Sequence, residues 1–225
     1  MTELASGTCK VCRSPSPVFY SGERIFFKCP NCHLVFTEHY PGKDAEERHY
    51  KSQWQTPNPG FWKSQADVLL DIVHRYRVPE NILDFGSGTG ELAGEISGRG
   101  YRVTCLEPMI HGFLKDQKYP FRFDVVVALE VFEHLHRLWE ELIEIDKCLV
   151  RNGVIFCSTA LTDPFIDRED AAACFAQWWY KDDPTHVNFF CTQSLEHVAR
   201  KLDYDLAVYD SKAFVMLKGR MGEAG

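Results

Sequence analysis

The sequence predicts an α/β fold with a mostly parallel sheet, preceded by a small metal-binding module. From residue 82 onward, short apolar segments alternate with amphipathic helical segments, as expected for βα units around a parallel sheet. Before them, two Cys-x-x-Cys pairs are separated by 16 residues in a stretch that contains strand-like aromatic segments. A chain of 225 residues has room for one sizeable domain and one such module.

A glycine-rich turn follows the first strand of the larger part. The strand from Ile82 to Phe85 contains Asp84, and glycines then stand at the alternate positions 86, 88 and 90. Glycine lacks a Cβ atom, so it tolerates positive φ and lets a ligand lie against the backbone. Turns at the carboxyl ends of parallel strands are where open α/β sheets bind nucleotide-like ligands. The dinucleotide fingerprint does not fit, because it requires Gly-x-Gly-x-x-Gly with no acid before it.

The pattern Asp-x-Gly-x-Gly-x-Gly within residues 82–90 resembles motif I of the class I S-adenosylmethionine-dependent methyltransferases. In that family the acid faces the methionine end of the cofactor, and the glycines make room for the rest. The resemblance implies a Rossmann-like domain that transfers a methyl group from S-adenosylmethionine. It also implies cofactor contacts from this turn and from neighbouring strand ends, namely Asp84, Phe85, Gly86, Ser87, Gly88, Gly90, Glu107, Pro108, Leu129 and Glu130.

Glu107 is the candidate partner of the cofactor's ribose. A helix is expected from Glu91 to Arg99 and a strand from Tyr101 to Leu106, which Glu107 follows directly. Glu107 lies 23 positions after Asp84, near the offset of about 20 residues at which an acid meets ribose hydroxyls in doubly wound folds. A carboxylate suits this role because it can accept from both hydroxyls at once. The alternative is a solvated acid at a strand end.

The sheet is expected to lack a strand at one edge. Only 13 residues separate Glu107 from the next strand, which runs from Phe121 to Leu129, whereas a complete class I domain has a helix and a third strand there. That third strand commonly supplies the family's acid to the adenine, so no counterpart is assigned in this chain. The hypothesis for the adenine contact is Met109, Ile110 or Phe113.

A second polar cluster follows the strand that ends at Leu129. Glu130, Glu133 and His134 stand at the start of a segment that is expected to be helical to about Val150. Such residues can cap a helix, orient a substrate or bind a divalent cation. The spacing Glu-x-x-Glu-His resembles that of the ubiquinone-biosynthesis O-methyltransferases, in which these residues are associated with a metal near the substrate. A supporting or substrate-orienting role is favoured over a second metal.

The segment from Ala160 to Pro184 is expected to cover the acceptor, because long excursions between late strands often carry binding residues. It is rich in aromatic residues and leads to His186, in a stretch that is similar to the substrate-side segment of the same family. Histidine titrates near neutral pH, which makes His134 and His186 the candidate catalytic residues. The alternative for each is a packed, hydrogen-bonded side chain.

Four cysteines, Cys9, Cys12, Cys29 and Cys32, predict a structural Zn²⁺ site. Each Cys-x-x-Cys turn offers two thiolates, and the strand-like residues between the pairs can form a hairpin that brings the turns together. We expect a zinc ribbon, since a core of about 35 residues is too small to fold without a staple. His33 is an alternative ligand to Cys32, and recognition of a substrate or partner is an alternative role for the ribbon.

Composition limits the partners of the chain. The formal net charge of −7 gives no sign of a basic surface for a phosphate backbone, so nucleic acid is disfavoured. No apolar run approaches the roughly 18 residues of a membrane span, and no signal peptide is expected at the start of the sequence. Nine cysteines, several of them single within apolar strands, favour a reducing cytoplasmic compartment over a disulfide framework.

Together these features predict a zinc ribbon at residues 1–40, a linker at 41–60, a methyltransferase domain at 61–218 and a tail at 219–225. The expected activity is methylation of a small-molecule acceptor, on oxygen or nitrogen in the first instance. Two other functions stay open: an RNA methyltransferase that uses the ribbon for recognition, and a non-catalytic zinc-binding adaptor with a relic cofactor pocket. The sequence predicts neither the acceptor nor the oligomeric state.

Overall fold

The computed structural model describes residues 6–53 and 59–219, so predictions that concern residues 1–5, Trp54 and the tail beyond Gly219 lie outside the described residues. The strands are β1 (Ser6–Thr8), β2 (Pro15–Ser21), β3 (Ile25–Lys28), β4 (Val35–Phe36), β5 (Asn81–Phe85), β6 (Arg102–Leu106), β7 (Phe123–Leu129), β8 (Leu149–Ser158), β9 (Asn188–Phe189), β10 (Tyr204–Val208) and β11 (Ala213–Lys218). The α-helices are α1 (Lys43–Gln53), α2 (Pro59–His74), α3 (Glu91–Ser97), α4 (Pro108–His111), α5 (Leu138–Cys148), α6 (Ala171–Gln177) and α7 (Thr192–Leu202).

A six-stranded sheet with the order β10-β11-β8-β7-β5-β6 forms the centre of the larger part. The strands β6, β5, β7 and β8 are parallel neighbours, whereas β11 and β10 complete the sheet in antiparallel fashion. Because side chains alternate along a strand, Val125 and Val127 pack with α2 and α3, while Val126 and Ala128 pack with α5 and α7. The predicted α/β class, with helices on both faces of a mostly parallel sheet, is confirmed.

The expected truncation of the sheet is also confirmed. Strand β6 is the edge strand, and the chain between β6 and β7 forms α4 and one 3₁₀ turn, Leu114–Asp116, in place of a further strand. Helix α4 is a single turn, and Glu107 stands at its N-terminus, where its carboxylate accepts from the N–H of Met109. The short connection therefore begins at the same edge of the sheet as the glycine turn.

The segment after β7 differs from the single helix predicted from Glu130 to about Val150. Glu130 has a φ of 53°, and Phe132–His134 form one isolated 3₁₀ turn. Leu135 is extended, and α5 begins only at Leu138. A left-handed residue interrupts a right-handed helical path, so the prediction of a continuous helix was wrong. Glu133 and His134 consequently do not cap a long helix.

The N-terminal module packs against the larger part. Strands β1 to β4 form an antiparallel sheet, and β4 also pairs with β9, which lies after α6. Phe26 of the module packs edge-on against Phe175 and Phe189. On another side, the Trp139 indole N–H donates to the Val11 carbonyl at 3.1 Å. The module thus shares both a strand pairing and buried side chains with the larger part.

Two further observations bear on the expectations from composition. No helix within residues 6–53 and 59–219 is long and apolar enough to cross a membrane. All nine cysteines fall within these residues, and each is a free thiol.

The turn from β5 to α3 depends on glycine. Gly86, Gly88 and Gly90 have φ values of 78°, 53° and 89°. The N–H groups of Gly86 and Ser87 both donate to the Leu106 carbonyl, at 2.8 and 3.2 Å, which ties the turn to β6. A Cβ atom at position 86 would lie 2.5 Å from Cγ2 of Val131. The backbone conformation and the lack of space both require glycine at this position.

Replacing Gly86 by alanine should destabilise the protein. The added methyl group meets Val131 from a left-handed backbone position, so the free energy of unfolding should fall by about 2 kcal/mol or more. Gly94→Ala is the matched control, because Gly94 lies within α3 and nothing lies within 4 Å of an added Cβ. The free energy of unfolding of this control should rise by up to about 1 kcal/mol. Denaturant titration measures both values, and equal stability of the two variants would contradict the analysis of the turn.

Candidate active site

A large cavity of about 1720 Å³ lies at the carboxyl ends of the parallel strands, where open α/β sheets bind their ligands. The two predicted catalytic residues, His134 and His186, line it. Asp84 and Gly90 are not part of its wall. Asp84 is buried beneath the turn, and Gly90 is the N-cap residue of α3. The other eight residues predicted to contact the cofactor all line the cavity: Phe85, Gly86, Ser87, Gly88, Glu107, Pro108, Leu129 and Glu130.

Asp84 is a buried acid with an unused hydrogen-bonding atom. The residue is 2% exposed, and its Oδ2 has no hydrogen-bond partner among the described residues. Burial raises the pKa of Asp84 to about 7, and the nearby charge of Glu107 adds to this effect. A buried carboxyl oxygen without a donor is costly. A cationic ligand at the adjacent glycine turn would therefore be favoured.

Glu107 lies between the glycine turn and α4. Its carboxylate accepts from the N–H of Gly88 at 3.1 Å and from the N–H of Met109 at 3.2 Å. Burial raises the pKa of Glu107. The two backbone donors fix the carboxylate at the cavity wall, and each oxygen keeps a further lone pair for a ligand's hydroxyl group.

The imidazole rings of His134 and His186 lie next to each other, with their centroids 4.7 Å apart. Nδ1 of His134 lies 3.2 Å from the Thr185 carbonyl, and Nδ1 of His186 lies 2.7 Å from the Tyr180 carbonyl. A carbonyl only accepts, so each Nδ1 carries the proton and each Nε2 keeps a lone pair. Burial lowers the pKa of His134 to about 3, with a further contribution from His186, and burial also lowers the pKa of His186. The histidine pair therefore presents two proton acceptors.

A buried acid network adjoins the histidine pair. Glu133 is fully buried, and its Oε2 has no hydrogen-bond partner within the described part of the chain. The Tyr180 hydroxyl lies 2.6 Å from Oε1 of Glu133, 2.9 Å from Oε2 of Glu130 and 3.0 Å from Oγ1 of Thr159. Burial, and then the charge of Glu130, raise the pKa of Glu133 well above its ordinary value. One tyrosine proton cannot satisfy two carboxylates, and the raised pKa of Glu133 favours its protonated form.

Helix α1, which the sequence assigned to a linker, contributes a cavity wall that the site prediction missed. Its Tyr50 lies next to His134, with ring centroids 5.5 Å apart. Its His49 places Nε2 2.9 Å from Oδ2 of Asp183, and Asp183 also accepts from the Thr185 N–H at 2.8 Å. The only local signal was a polar helical segment, because 134 residues separate His49 from Asp183.

The four cysteines predicted to bind zinc converge. Their Sγ atoms all lie within 4.8 Å of one another. Cys9 and Cys32 place their sulfurs 3.5 Å apart, and Cys12 and Cys29 place theirs 3.3 Å apart. A tetrahedral site with Zn–S bonds of about 2.3 Å separates its sulfurs by about 3.8 Å. The thiols are thus already close to the spacing that a tetrahedral ion requires.

The two Cys-x-x-Cys turns have the same backbone geometry. The N–H of Arg13 donates to the Cys9 carbonyl and that of His33 to the Cys29 carbonyl, both at 3.0 Å. Both donors have positive φ, 67° and 59°. Nδ1 of His33 lies 2.8 Å from Oδ1 of Asp167. The His33 side chain therefore pairs with an acid and does not belong to the group of four thiols.

The chain matches a known protein family over residues 61–208, which is more than half of its length. This family is described as a methyltransferase domain. A search of curated proteins finds no match.

Solved structures that resemble this fold include several methyltransferases. The plantazolicin methyltransferase BpumL, in complex with S-adenosylhomocysteine, has a TM-score of 0.55 at 12% identity, and the alignment covers 79% of this chain and 92% of that one. The 1,6-didemethyltoxoflavin-N1-methyltransferase of Burkholderia thailandensis has a TM-score of 0.55 at 13% identity, with coverage of 89% and 97%. Human N-acetylserotonin methyltransferase, in complex with S-adenosylmethionine, has a TM-score of 0.54 at 14% identity, with coverage of 82% and 61%.

At identities this low, the structural matches show a shared fold alone. Membership of the family is shown by the match to the family model. The chain belongs to the methyltransferase-domain family and is an S-adenosylmethionine-dependent methyltransferase.

Proposed function

We propose that this enzyme methylates a small-molecule acceptor on an oxygen or nitrogen atom. The observation that carries the proposal is that the glycine turn and the histidine pair line the same cavity. A cofactor bound at the turn and an acceptor bound at the histidine pair would meet inside it. Holding two reactants together, away from bulk water, is the main contribution that a protein makes to a transfer of this kind.

The residues at the turn fit S-adenosylmethionine, which supplies a methyl group activated by its cationic sulfur. The buried carboxyl of Asp84, whose Oδ2 has no partner in the described part of the chain, favours the ammonium group at the methionine end. Glu107 has free lone pairs for the two ribose hydroxyls. The three glycines with positive φ keep the backbone of the turn accessible to the ligand. We propose that the other residues implied by the sequence also contact the cofactor, namely Phe85, Ser87, Pro108, Leu129 and Glu130.

The histidine pair suits the acceptor. Nε2 of neutral His134 or His186 would take the proton that a hydroxyl or amine group loses when it is methylated. The charges of Asp183 and Glu130 raise the pKa of His186 against the effect of burial, so both carboxylates would stabilise the imidazolium that results. We assign catalysis to these two histidines on that basis.

A small acceptor is favoured over RNA because acids predominate in the cavity wall, and a phosphate backbone would be repelled. The acids are Glu46, Glu47, Glu91, Glu107, Glu130, Glu140, Glu141, Glu144, Asp183 and Asp210, against the bases Lys43, Lys115, Arg137 and Lys212. Tyr50, Trp179 and Tyr180 add aromatic faces against which an acceptor can pack. The similar Burkholderia structure holds a small molecule, 1,6-didemethyltoxoflavin, which supports this class of acceptor. Salt-dependent binding of RNA would favour the alternative.

We also propose that the four cysteines hold a structural Zn²⁺ ion and that the protein works in the reducing cytoplasm. The convergence of the thiols and the matched backbone turns support the first statement. The five cysteines outside this group, each of which is a free thiol, support the second statement.

Glu133, His134 and His186 also place potential ligand atoms within 4.8 Å of one another. The Tyr180 hydroxyl already engages the Glu133 carboxyl at 2.6 Å. We therefore assign this group to substrate orientation and proton transfer in preference to a second metal ion.

S-Adenosylmethionine should bind more tightly as the pH rises from about 5.5 to about 7. The pKa of Asp84 in the free protein is about 7, and a cationic ligand favours the ionised carboxylate, so binding below that pH releases a proton. The affinity should rise by up to about tenfold per pH unit below this pKa and level off above it. Titration calorimetry in buffers of different ionisation enthalpy measures both the affinity and the released protons. Asp84→Asn should bind weakly and without this pH dependence, and an unchanged affinity in that variant would refute the role of Asp84.

The side chains of His134 and His186 should be neutral Nδ1–H tautomers near pH 6. Burial lowers both pKa values, that of His134 to about 3, so the charged forms should appear only in more acidic solution. Nitrogen-15 NMR of the imidazoles distinguishes the two tautomers from the imidazolium ion, and His134→Gln and His186→Gln assign the signals. An imidazolium signal from His134 at this pH would contradict the neutral, carbonyl-anchored arrangement.

Protein purified without chelators should contain about one zinc ion per chain, as a four-thiolate site requires. Cys29→Ser removes one ligand, so this variant should lose zinc and unfold at a lower denaturant concentration. Cys174→Ser is the matched control, because Cys174 is a half-buried free thiol outside the group of four. Elemental analysis measures the zinc. Full zinc content in Cys29→Ser, or none in the native chain, would rule out the four-cysteine site.

A further inference from the structure

Arg24 of the N-terminal module binds a loop that belongs to the proposed acceptor site. Its Nη1 donates to the carbonyls of Pro184 at 3.2 Å and His186 at 2.9 Å. Its Nη2 donates to the carbonyls of Asp183 at 2.8 Å and of Lys181. These partners lie 157 to 162 residues away along the chain. We call residues 180–188 the histidine loop.

The backbone of the histidine loop positions both histidines. The Tyr180 carbonyl holds Nδ1 of His186, and the Thr185 carbonyl holds Nδ1 of His134. The N–H of Val187 donates to the Glu133 carbonyl at 2.8 Å. Between the 3₁₀ turn Trp179–Asp182 and β9, the loop has no regular backbone pairing of its own. A displacement of its backbone would therefore move two imidazole rings at once.

Arginine is suited to hold such a loop. A guanidinium presents five N–H donors in one rigid plane, whereas an ammonium group is a compact point charge. The Phe26 ring of β3 lies 5.0 Å from the guanidinium carbon of Arg24 and supports it from the side of the module. Burial lowers the pKa of Arg24, and the charges of Asp183 and Asp182 oppose this effect. The cation is thus held between a ring of its own module and the carbonyls of the loop.

Two lysines of the module make the same kind of contact. Nζ of Lys28 donates to the Ile166 carbonyl at 2.5 Å, and Nζ of Lys10 lies 3.4 Å from the Val187 carbonyl. Together with Arg24, three basic side chains of the module end on main-chain oxygens of the segment that precedes and includes the histidine loop. Basic side chains used in this way hold a backbone in place and are not available to bind a partner.

We propose that Arg24 is a positioning residue for the acceptor site and that the N-terminal module is, through Arg24, a structural part of that site. The inference rests on the proposed function and gives the module a role beyond the binding of its own metal. Arg24 does not line the cavity, so it acts through the backbone of the histidine loop and does not touch the reacting groups.

Hydrogen exchange of the metal-loaded full chain tests the proposal. In Arg24→Ala, the amides of His186 and Val187 should exchange at least about tenfold faster, while amides of β7 and β8 keep their native rates. Arg24→Lys retains the charge but not the planar set of donors, so its exchange rates should be intermediate. Arg122→Ala is the matched control, because Arg122 is an exposed arginine outside both the module and the cavity wall. Its exchange rates should equal those of the native chain.

Nitrogen-15 NMR supplies a second readout at the histidines themselves. In Arg24→Ala, the imidazoles of His134 and His186 should no longer populate a single Nδ1–H tautomer, because their carbonyl anchors move. Affinity for S-adenosylmethionine, measured by calorimetry, should stay within about twofold, since the turn after β5 lies on a different part of the chain. Zinc content should be unchanged.

Native exchange at His186 and Val187 in Arg24→Ala, or an equal acceleration throughout the chain, would overturn the proposal. If Arg24→Ala does not fold, the same comparison of exchange at His186 and Val187 with exchange in β7 and β8 is made for Arg24→Lys. Failure of the native chain to bind S-adenosylmethionine would refute the proposed function alone, because the exchange and imidazole measurements need no cofactor.

Discussion

The sharp turn after β5 is the constraint on which the proposed site depends. Its three positive φ angles disfavour other residues, and the contact with Val131 leaves no room for a side chain at position 86. The same turn lies beside Asp84, a buried carboxyl with one oxygen that has no hydrogen-bond partner in residues 6–53 and 59–219. Burying such a group costs about 1–3 kcal/mol, which the rest of the fold must offset. A cationic ligand at the turn would remove this cost, so the stability of the fold and binding are linked there.

Burial also explains the pKa shifts of four buried groups in and beside the cavity. It raises the pKa of Asp84 and Glu133 and lowers that of His134 and His186, because a low-dielectric environment disfavours the charged form of every group. These two acids and two histidines are thus driven towards neutrality by one cause. A neutral imidazole is the form that accepts a proton. A cofactor with a positive charge at the turn would favour the ionised carboxylate of Asp84 and so oppose the effect of burial there.

The N-terminal module and the larger part form one packed structure within the described residues. Strand β4 extends its pairing to β9, and Phe26 joins a cluster with Phe175 and Phe189. A module of this size gains much of its buried surface from such a contact. The gain is mutual, because the long segment between β8 and α7 would otherwise have few regular backbone partners.

The sequence by itself determined the features that have a local physical signature. The alternate glycines marked the turn, the continuous apolar run marked β7, the 13-residue gap marked the missing strand, and the cysteine spacing brought four thiols together. Eight of the ten proposed cofactor contacts and both histidines line one cavity. The turn and β7 follow from steric and periodic rules that act over a few residues, whereas the cofactor contacts were implied by the resemblance of residues 82–90 to a known family.

Only the tertiary structure decided the rest. It placed a left-handed Glu130 where a helix was expected, brought Tyr50 of α1 to His134, and set Arg24 against carbonyls 157 to 162 residues away. A backbone carbonyl is the same in every residue, so a side chain that recognises one leaves no pattern in the partner's sequence. Contacts of this kind become visible only when folding has fixed which carbonyls point the same way.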